Sequence, residues 1–112
     1  MKLAVLDAAE AEIAETVAFY EGRAVGLGEE FLVELWRIFG LIENAPETWP
    51  QLDEKVRRCR LGRFPFGVYY RIDPDRIVVF AVMHGRRRPA RGRSAAERLW
   101  LPVTGALPEV RT

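Results

Sequence analysis

Two consecutive strand patterns decide how this chain folds. They occupy residues 66–83, which read FGVYYRIDPDRIVVFAVM. In residues 66–72 every second side chain is apolar, which is the period of a strand with one buried face. Residues 73–76 are turn formers. Residues 77–83 are apolar without alternation, which is typical of an interior strand covered on both faces. The stretch therefore predicts two antiparallel strands joined by a tight turn.

The sequence upstream predicts one more neighbouring strand, a helical hairpin and a first strand. Residues 56–61 are strand-like and complete a three-stranded antiparallel meander. Residues 8–22 and 28–44 carry apolar stripes at helical spacing, and glycines separate them. Trp36 widens the second stripe, and Glu10, Glu12, Glu15 and Glu21 are expected on a solvated face of the first helix. Residues 2–6 form a short apolar strand. The predicted order is β-α-α-β-β-β, an α+β fold in which the N-terminal strand is followed by a hairpin packed on one face of the sheet.

Length and composition limit the possible classes of protein. The chain has 112 residues, of which 49% are hydrophobic and 29% charged, as expected of one folded domain. We assign residues 1–92 to that domain and residues 93–112 to a C-terminal extension with a short helix and a frayed tail. A membrane span of about 18 apolar residues and a signal peptide are both missing from the pattern, so we expect a cytoplasmic protein without membrane contact.

The residue types needed for metals and cofactors are scarce. Cys59 is the only cysteine and His84 the only histidine, which argues against a disulfide and against a zinc site. The Gly26-Leu27-Gly28 segment alone is too weak a signal for a nucleotide-binding loop. We therefore expect no metal and no cofactor.

Charge is distributed very unevenly along the chain. Residues 1–54 hold three basic residues and twelve carboxylates, a net charge of −9. Residues 55–112 hold fourteen basic and four acidic residues, a net charge of +10, which brings the total to the formal +1. Such a separation predicts an acidic or polyanionic partner for the basic half.

The arginines of the basic half are the main candidates for binding that partner. Guanidinium groups stay charged and match carboxylates and phosphates with two parallel hydrogen bonds. On the predicted meander they share one small sheet, where they could hold an anion. The alternative is a solvated polar face without a ligand. The arginines concerned are Arg58, Arg60, Arg63, Arg71, Arg86, Arg87 and Arg88.

Two further side chains could take part in chemistry or recognition. Histidine is the side chain that ordinarily titrates near neutrality, so His84 could act as a general base, with Arg63 and Arg87 stabilising charge. The favoured interpretation is a strand-end histidine that caps a backbone carbonyl. Tyr69 and Tyr70 point to opposite faces of one strand. Because Tyr70 shares its face with Phe66 and Val68, we expect it in the core and expect Tyr69 to be the freer side chain, available for binding.

Several motifs together resemble the RelE/ParE superfamily of toxins from type II toxin–antitoxin systems, and more specifically its ParE-like branch. The Arg-Phe-Pro-Phe segment and the Tyr-Tyr-Arg strand, followed by His-x-Arg-Arg-x-Pro, form the most specific joint signal. The matching segments are Phe19–Glu21, Gly26–Phe31, Ile42 with Pro46 and Trp49-Pro50, Val56–Arg58, Leu61–Ile72 and Val82–Pro89.

The resemblance implies a small toxin that is neutralised by a cognate antitoxin in a hetero-oligomer. RelE-like members cleave mRNA on the ribosome with basic residues and often a C-terminal tyrosine or histidine, whereas ParE-like members inhibit DNA gyrase. Here no tyrosine follows Tyr70, which favours a non-enzymatic gyrase inhibitor. The alternatives are a metal-independent, ribosome-dependent endoribonuclease and a non-toxic relative that still binds antitoxin.

Overall fold

The computed structural model of the chain describes residues 1–84. Two helices follow the first strand, and four further strands complete the described part. The bounds are β1 Lys2–Val5, α1 Asp7–Arg23, α2 Leu27–Asn44, β2 Gln51–Asp53, β3 Val56–Arg60, β4 Phe66–Ile72 and β5 Arg76–His84. The predicted α+β class and the order of the main elements are confirmed, whereas residues 93–112 and the helix predicted there lie outside the described residues.

The strands form one mixed five-stranded sheet in the order β1-β5-β4-β3-β2. Strands β2 to β5 are antiparallel neighbours, and β1 pairs in parallel with β5. The sheet is therefore larger than the predicted three-stranded meander. The short β2 was not predicted because three residues between turns carry no readable alternation, and the parallel partner of β1 depends on tertiary structure alone.

One face of the sheet packs on both helices, and we call it the helix-facing face. Its core joins apolar residues of α1 and α2 with alternate residues of the strands. Tyr20 lies at its centre, with ring centroids 5.0 Å from Phe64 and 5.8 Å from Phe31. From β4 this face receives Phe66, Val68 and Tyr70, as the alternation predicts. The helical hairpin thus packs where the sequence placed it.

The opposite face, which we call the far face, has a separate cluster made of strand residues. Val56, Tyr69, Phe80, Ala81 and Met83 form this cluster, and Leu6 packs against it. Side chains of β5 are buried on both faces, as the unbroken apolar run predicts. The strand lies between β1 and β4 and is therefore interior.

A bulge interrupts β5 at its centre. Tyr69 pairs with Ala81 but Tyr70 pairs with Val79, so Phe80 is the extra residue of the longer strand. Close to this bulge, the backbone N–H of Val82 donates a 2.9 Å hydrogen bond to the Glu12 carboxylate of α1. The expectation that Glu12 only faces solvent is thus wrong, because its carboxylate fixes the first helix to the last described strand.

The loop between the helices is held in the same way. Gly26 adopts a left-handed conformation with φ of 87°, which suits a residue without a side chain. The Glu21 carboxylate accepts hydrogen bonds from the backbone N–H groups of Gly26 and Gly28 at 2.9 and 3.0 Å. It therefore satisfies donors at the start of α2 that have no partner within that helix. Across residues 1–84, neither helix has the length and apolar character of a membrane span.

Candidate binding surface on the far face of the sheet

Arginines and apolar residues lie side by side in two rows across the far face. In the first row, Ala81 of β5 pairs with Tyr69 of β4, which pairs with Arg58 of β3. In the second row, Met83 pairs with Gly67, and Gly67 pairs with Arg60. Each row thus runs from a buried apolar residue to a cationic one, because paired residues of neighbouring strands share a face. This arrangement brings together three of the predicted site residues.

Gly67 of the second row lies next to Arg58 and Tyr69 of the first row. A methyl group at this position would come within 3.1 Å of Cγ and Cδ of Arg58 and 3.5 Å of Cε1 of Tyr69. The aliphatic part of Arg58 and the hydroxyl end of the Tyr69 ring therefore lie over the same glycine. The alternation of β4 puts Gly67 on the same face as Tyr69, but it does not reveal this close approach.

The Tyr69 side chain is completely buried, so the expectation that it is freer than Tyr70 is wrong. The cause is the far-face cluster, which encloses its ring between apolar residues of β3 and β5. Its hydroxyl group nevertheless has no hydrogen-bond partner within the described part of the chain. A buried polar group left without a partner costs about 1–3 kcal/mol of stability.

Tyr70 contrasts with its neighbour. It is equally buried, as predicted, but on the helix-facing face, and its hydroxyl donates a 2.6 Å hydrogen bond to the backbone carbonyl of Pro46. Burial is the main cause that raises the pKa of Tyr70 to about 12; the nearby Cys59 adds to the rise and Arg57 opposes it. Two adjacent tyrosines thus differ in one respect that matters here: only the Tyr70 hydroxyl is satisfied.

Two further arginines of the sheet, Arg71 and Arg57, are already engaged. Arg71 forms a 3.0 Å ion pair with Asp73, which partly neutralises its end of the far face. Arg57 points to the helix-facing side and donates hydrogen bonds to the backbone carbonyls of Trp49 and Glu47 at 2.8 and 3.3 Å. Arg57 therefore holds the linker before β2 and is not available to an anion on the far face.

Arg63 and His84 lie away from the arginines of the far face. Arg63, in the loop between β3 and β4, forms a 2.5 Å ion pair with Glu30 of α2. The His84 ring packs edge-on against Phe66, its strand partner on the helix-facing face, at 6.1 Å between centroids. The structure thus separates these two candidates from Arg58, Arg60 and Arg71. The candidates Arg86, Arg87 and Arg88 lie outside the described residues.

The loop that carries Arg63 is fixed to α2 by a second carboxylate. Glu34 accepts a 2.6 Å hydrogen bond from the backbone N–H of Gly62 and binds Arg37 at 3.2 Å. Partial burial would raise the pKa of Glu34, but Arg37 and the backbone N–H groups of Gly62 and Arg63 outweigh it and lower that pKa. Arg63 is therefore presented on a firmly anchored loop.

An apolar groove on the helical hairpin is a second feature that the sequence did not predict. It has a volume of about 530 Å³, with Ala14, Val17 and Ala18 of α1 facing Leu32 and Trp36 of α2. The Trp36 side chain, expected to widen the buried stripe, is 57% exposed. The groove lies in the acidic half of the chain, and carboxylates of α1 belong to its lining.

Comparison with known proteins agrees with this architecture. The family described as ParE toxin of type II toxin–antitoxin system, parDE, matches residues 3–89. A solved structure described as the chromosomal ParDE TA system from P. aeruginosa is similar in fold, with a TM-score of 0.51 and 20% identity, over 75% of this chain and 95% of that chain. Among curated proteins, none matches significantly. Since the family match spans most of the described domain, this chain belongs to the ParE toxin family of type II toxin–antitoxin systems.

Proposed function

We propose that this chain is the toxin of a type II toxin–antitoxin pair and that it stops growth by binding a protein target, DNA gyrase, in the cytoplasm. A cognate antitoxin neutralises it in a hetero-oligomeric complex. The observation that carries this proposal is the far face, where the partly exposed Arg58 and the exposed Arg60 lie on the same side of β3. Two cations on one side of a strand suit a protein partner that supplies carboxylates.

The arrangement of the candidate residues supports an inhibitor over an endoribonuclease. RNA cleavage without a metal needs a base, an acid and a charge stabiliser around one reacting phosphate. His84 packs against Phe66, and the Arg63 guanidinium is paired with Glu30. Neither belongs to the patch formed by Arg58 and Arg60. The described residues therefore do not bring the proton-transfer candidates and the far-face arginines to one place.

The antitoxin would bind along the sheet and the helical hairpin. Its carboxylates would meet the far-face arginines. The apolar groove beside Trp36 offers a second contact area on the hairpin. Stable complexes of this kind bury about 1,200–2,000 Å² of surface or more. A chain that stays monomeric in a pull-down with the product of the adjacent gene would contradict this part of the proposal.

Controlled expression in cells with and without the adjacent gene tests the function directly. We expect growth arrest, a DNA-damage response and gyrase-cleaved DNA, all suppressed when the adjacent gene is expressed as well. Immediate arrest of translation with cut mRNA would instead identify an endoribonuclease. Normal growth together with a stable complex between the two proteins would identify a non-toxic relative that still binds its antitoxin.

A further inference from the structure

The unsatisfied hydroxyl of Tyr69 points to a binding site on the far face. Buried hydroxyl groups in folded proteins nearly always have a partner, and an exception calls for an explanation. Phenylalanine would fill the same space without an unsatisfied donor. The neighbouring Tyr70 shows that the fold can supply an acceptor for a buried hydroxyl, since the Tyr70 hydroxyl donates a hydrogen bond to the Pro46 carbonyl. The Tyr69 hydroxyl is therefore a donor without an acceptor among residues 1–84.

The surroundings of this hydroxyl define the chemistry of the missing acceptor. Arg58 is the strand partner of Tyr69, and its side chain lies with the hydroxyl end of the tyrosine ring over Gly67. The arginine stem is flexible and only partly buried. A movement of this stem would therefore open the hydroxyl to a ligand and place a guanidinium beside the same point.

We propose that the Tyr69 hydroxyl and the Arg58 guanidinium together bind one carboxylate, supplied by an aspartate or glutamate of a protein partner. The phenol donates to one oxygen and the guanidinium to the other, which matches the planar geometry of a carboxylate. A protein partner is favoured over a nucleic acid because the chain belongs to a family of toxins from toxin–antitoxin pairs, and a protein supplies this acceptor as a carboxylate side chain. The site adds a specific contact to the proposed function. It rests on that function for the identity of the partner, the antitoxin.

The stability of the free chain gives the first test, with the adjacent tyrosine as a matched control. Tyr69→Phe removes a donor without a partner, so the melting temperature should stay unchanged or rise. Tyr70→Phe leaves the Pro46 carbonyl without its donor and should lower the melting temperature by several degrees. A drop with Tyr69→Phe as large as that with Tyr70→Phe would overturn the proposal, because the hydroxyl would already be bonded in the free protein.

Binding gives the second test, with tyrosine ring carbons labelled at Cζ and observed by NMR. The chain has three tyrosines, so each signal can be assigned from its phenylalanine variant. We expect a hexaglutamate peptide to shift the Tyr69 signal and leave the Tyr70 signal in place. A hexathymidylate should leave both unchanged. A Tyr69 shift with the oligonucleotide alone would overturn the carboxylate assignment in favour of phosphate.

Affinity for the protein encoded by the adjacent gene connects the site to the proposed function. Tyr69→Phe and Arg58→Gln should each weaken the complex by about 10- to 100-fold, while Tyr70→Phe changes it little. The double variant should lose less binding free energy than the sum of the losses in the two single variants, since both groups bind one carboxylate. Unchanged affinity with Tyr69→Phe overturns the site and leaves the function standing. A peptide-induced shift without any complex formation supports the site and counts against the function.

Discussion

Glu12 and Val82 are joined by a hydrogen bond that spans 70 residues of sequence. The carboxylate of the first helix accepts the backbone N–H of the last described strand, close to the bulge at Phe80. A bulge disrupts the regular ladder of a sheet locally, so a side-chain acceptor at this place stabilises the irregular strand. The bond also sets the position of α1 along β5.

We predict that Glu12→Ala lowers the free energy of unfolding by about 1.5–3 kcal/mol, because it leaves a backbone donor without its charged partner. The matched control is Glu15→Ala on the exposed side of the same helix, which should change stability by no more than about 0.5 kcal/mol. Chemical denaturation measures both variants. Equal losses of stability in the two variants would show that Glu12 contributes through helix propensity and not through its hydrogen bond to Val82.

Two glycines of α2 should respond to alanine in opposite directions. In Gly28→Ala the new methyl carbon would come 2.7 Å from the Val17 carbonyl oxygen, so we expect a loss of about 1–3 kcal/mol. Gly40 has open space around it, and Gly40→Ala should gain up to about 1 kcal/mol from helix propensity. Thermal melting of the two variants separates the steric contact at Gly28 from the gain in helix propensity at Gly40. A higher melting temperature in Gly28→Ala would show that the two helices can move apart at this contact without loss of stability.

Acid stability should depend on Glu34. The pKa of its carboxyl is lowered in the folded chain: burial opposes this shift, but Arg37 and the backbone N–H groups of Gly62 and Arg63 prevail. Its contribution is therefore complete above the ordinary value of 4.5 and is lost as pH falls through the lower folded pKa.

We expect Glu34→Gln to melt below the wild type at neutral pH and to approach it at acidic pH, below the folded pKa. Melting curves across the acidic range check this, with Glu15→Gln as the exposed control. A gap between wild type and Glu34→Gln that stays constant over the titration would show that the carboxylate charge is not what the loop needs.

The far-face arginines should matter for partner binding more than for stability. We predict that Arg60→Ala weakens binding of the antitoxin, and cell killing with it, while the free energy of unfolding changes by no more than about 0.5 kcal/mol. Arg23→Ala on the helical layer removes the same charge elsewhere and should leave binding nearly intact. Similar losses in both variants, measured at two salt concentrations, would point to general electrostatic attraction instead of a local site.

The sequence predicted those elements whose burial pattern is local. The alternation from Phe66 to Ile72 and the apolar run to Met83 set strand positions, faces and the adjacency of β4 and β5, and all of these are confirmed. The predicted anion-binding arginines are only partly brought together, because Arg63 is held by Glu30 on α2. Nothing in the local pattern of either segment signals an ion pair between residues 33 positions apart.

The features that the sequence did not predict depend on distant pairs of residues. Glu12 looked like a solvated helix residue, yet its carboxylate binds the backbone N–H of Val82, 70 positions later. Tyr69 looked accessible because its side of β4 contains glycine and arginine. Its burial comes from Phe80, Ala81 and Met83 on the next strand, so a single strand cannot reveal it.

The parallel pairing of β1 with β5 has a consequence for the time at which the chain can fold during synthesis. Lys2 faces Arg76 in this pairing, so the first strand waits for its partner until more than seventy further residues have been made. Ribosomes add roughly 5–20 residues per second, and the helical hairpin forms from local contacts in far less time. A nascent chain that ends before β5 has neither the interior strand nor the apolar half of the far face. The binding surface proposed on the far face is therefore complete only late in translation, after β5 has been made.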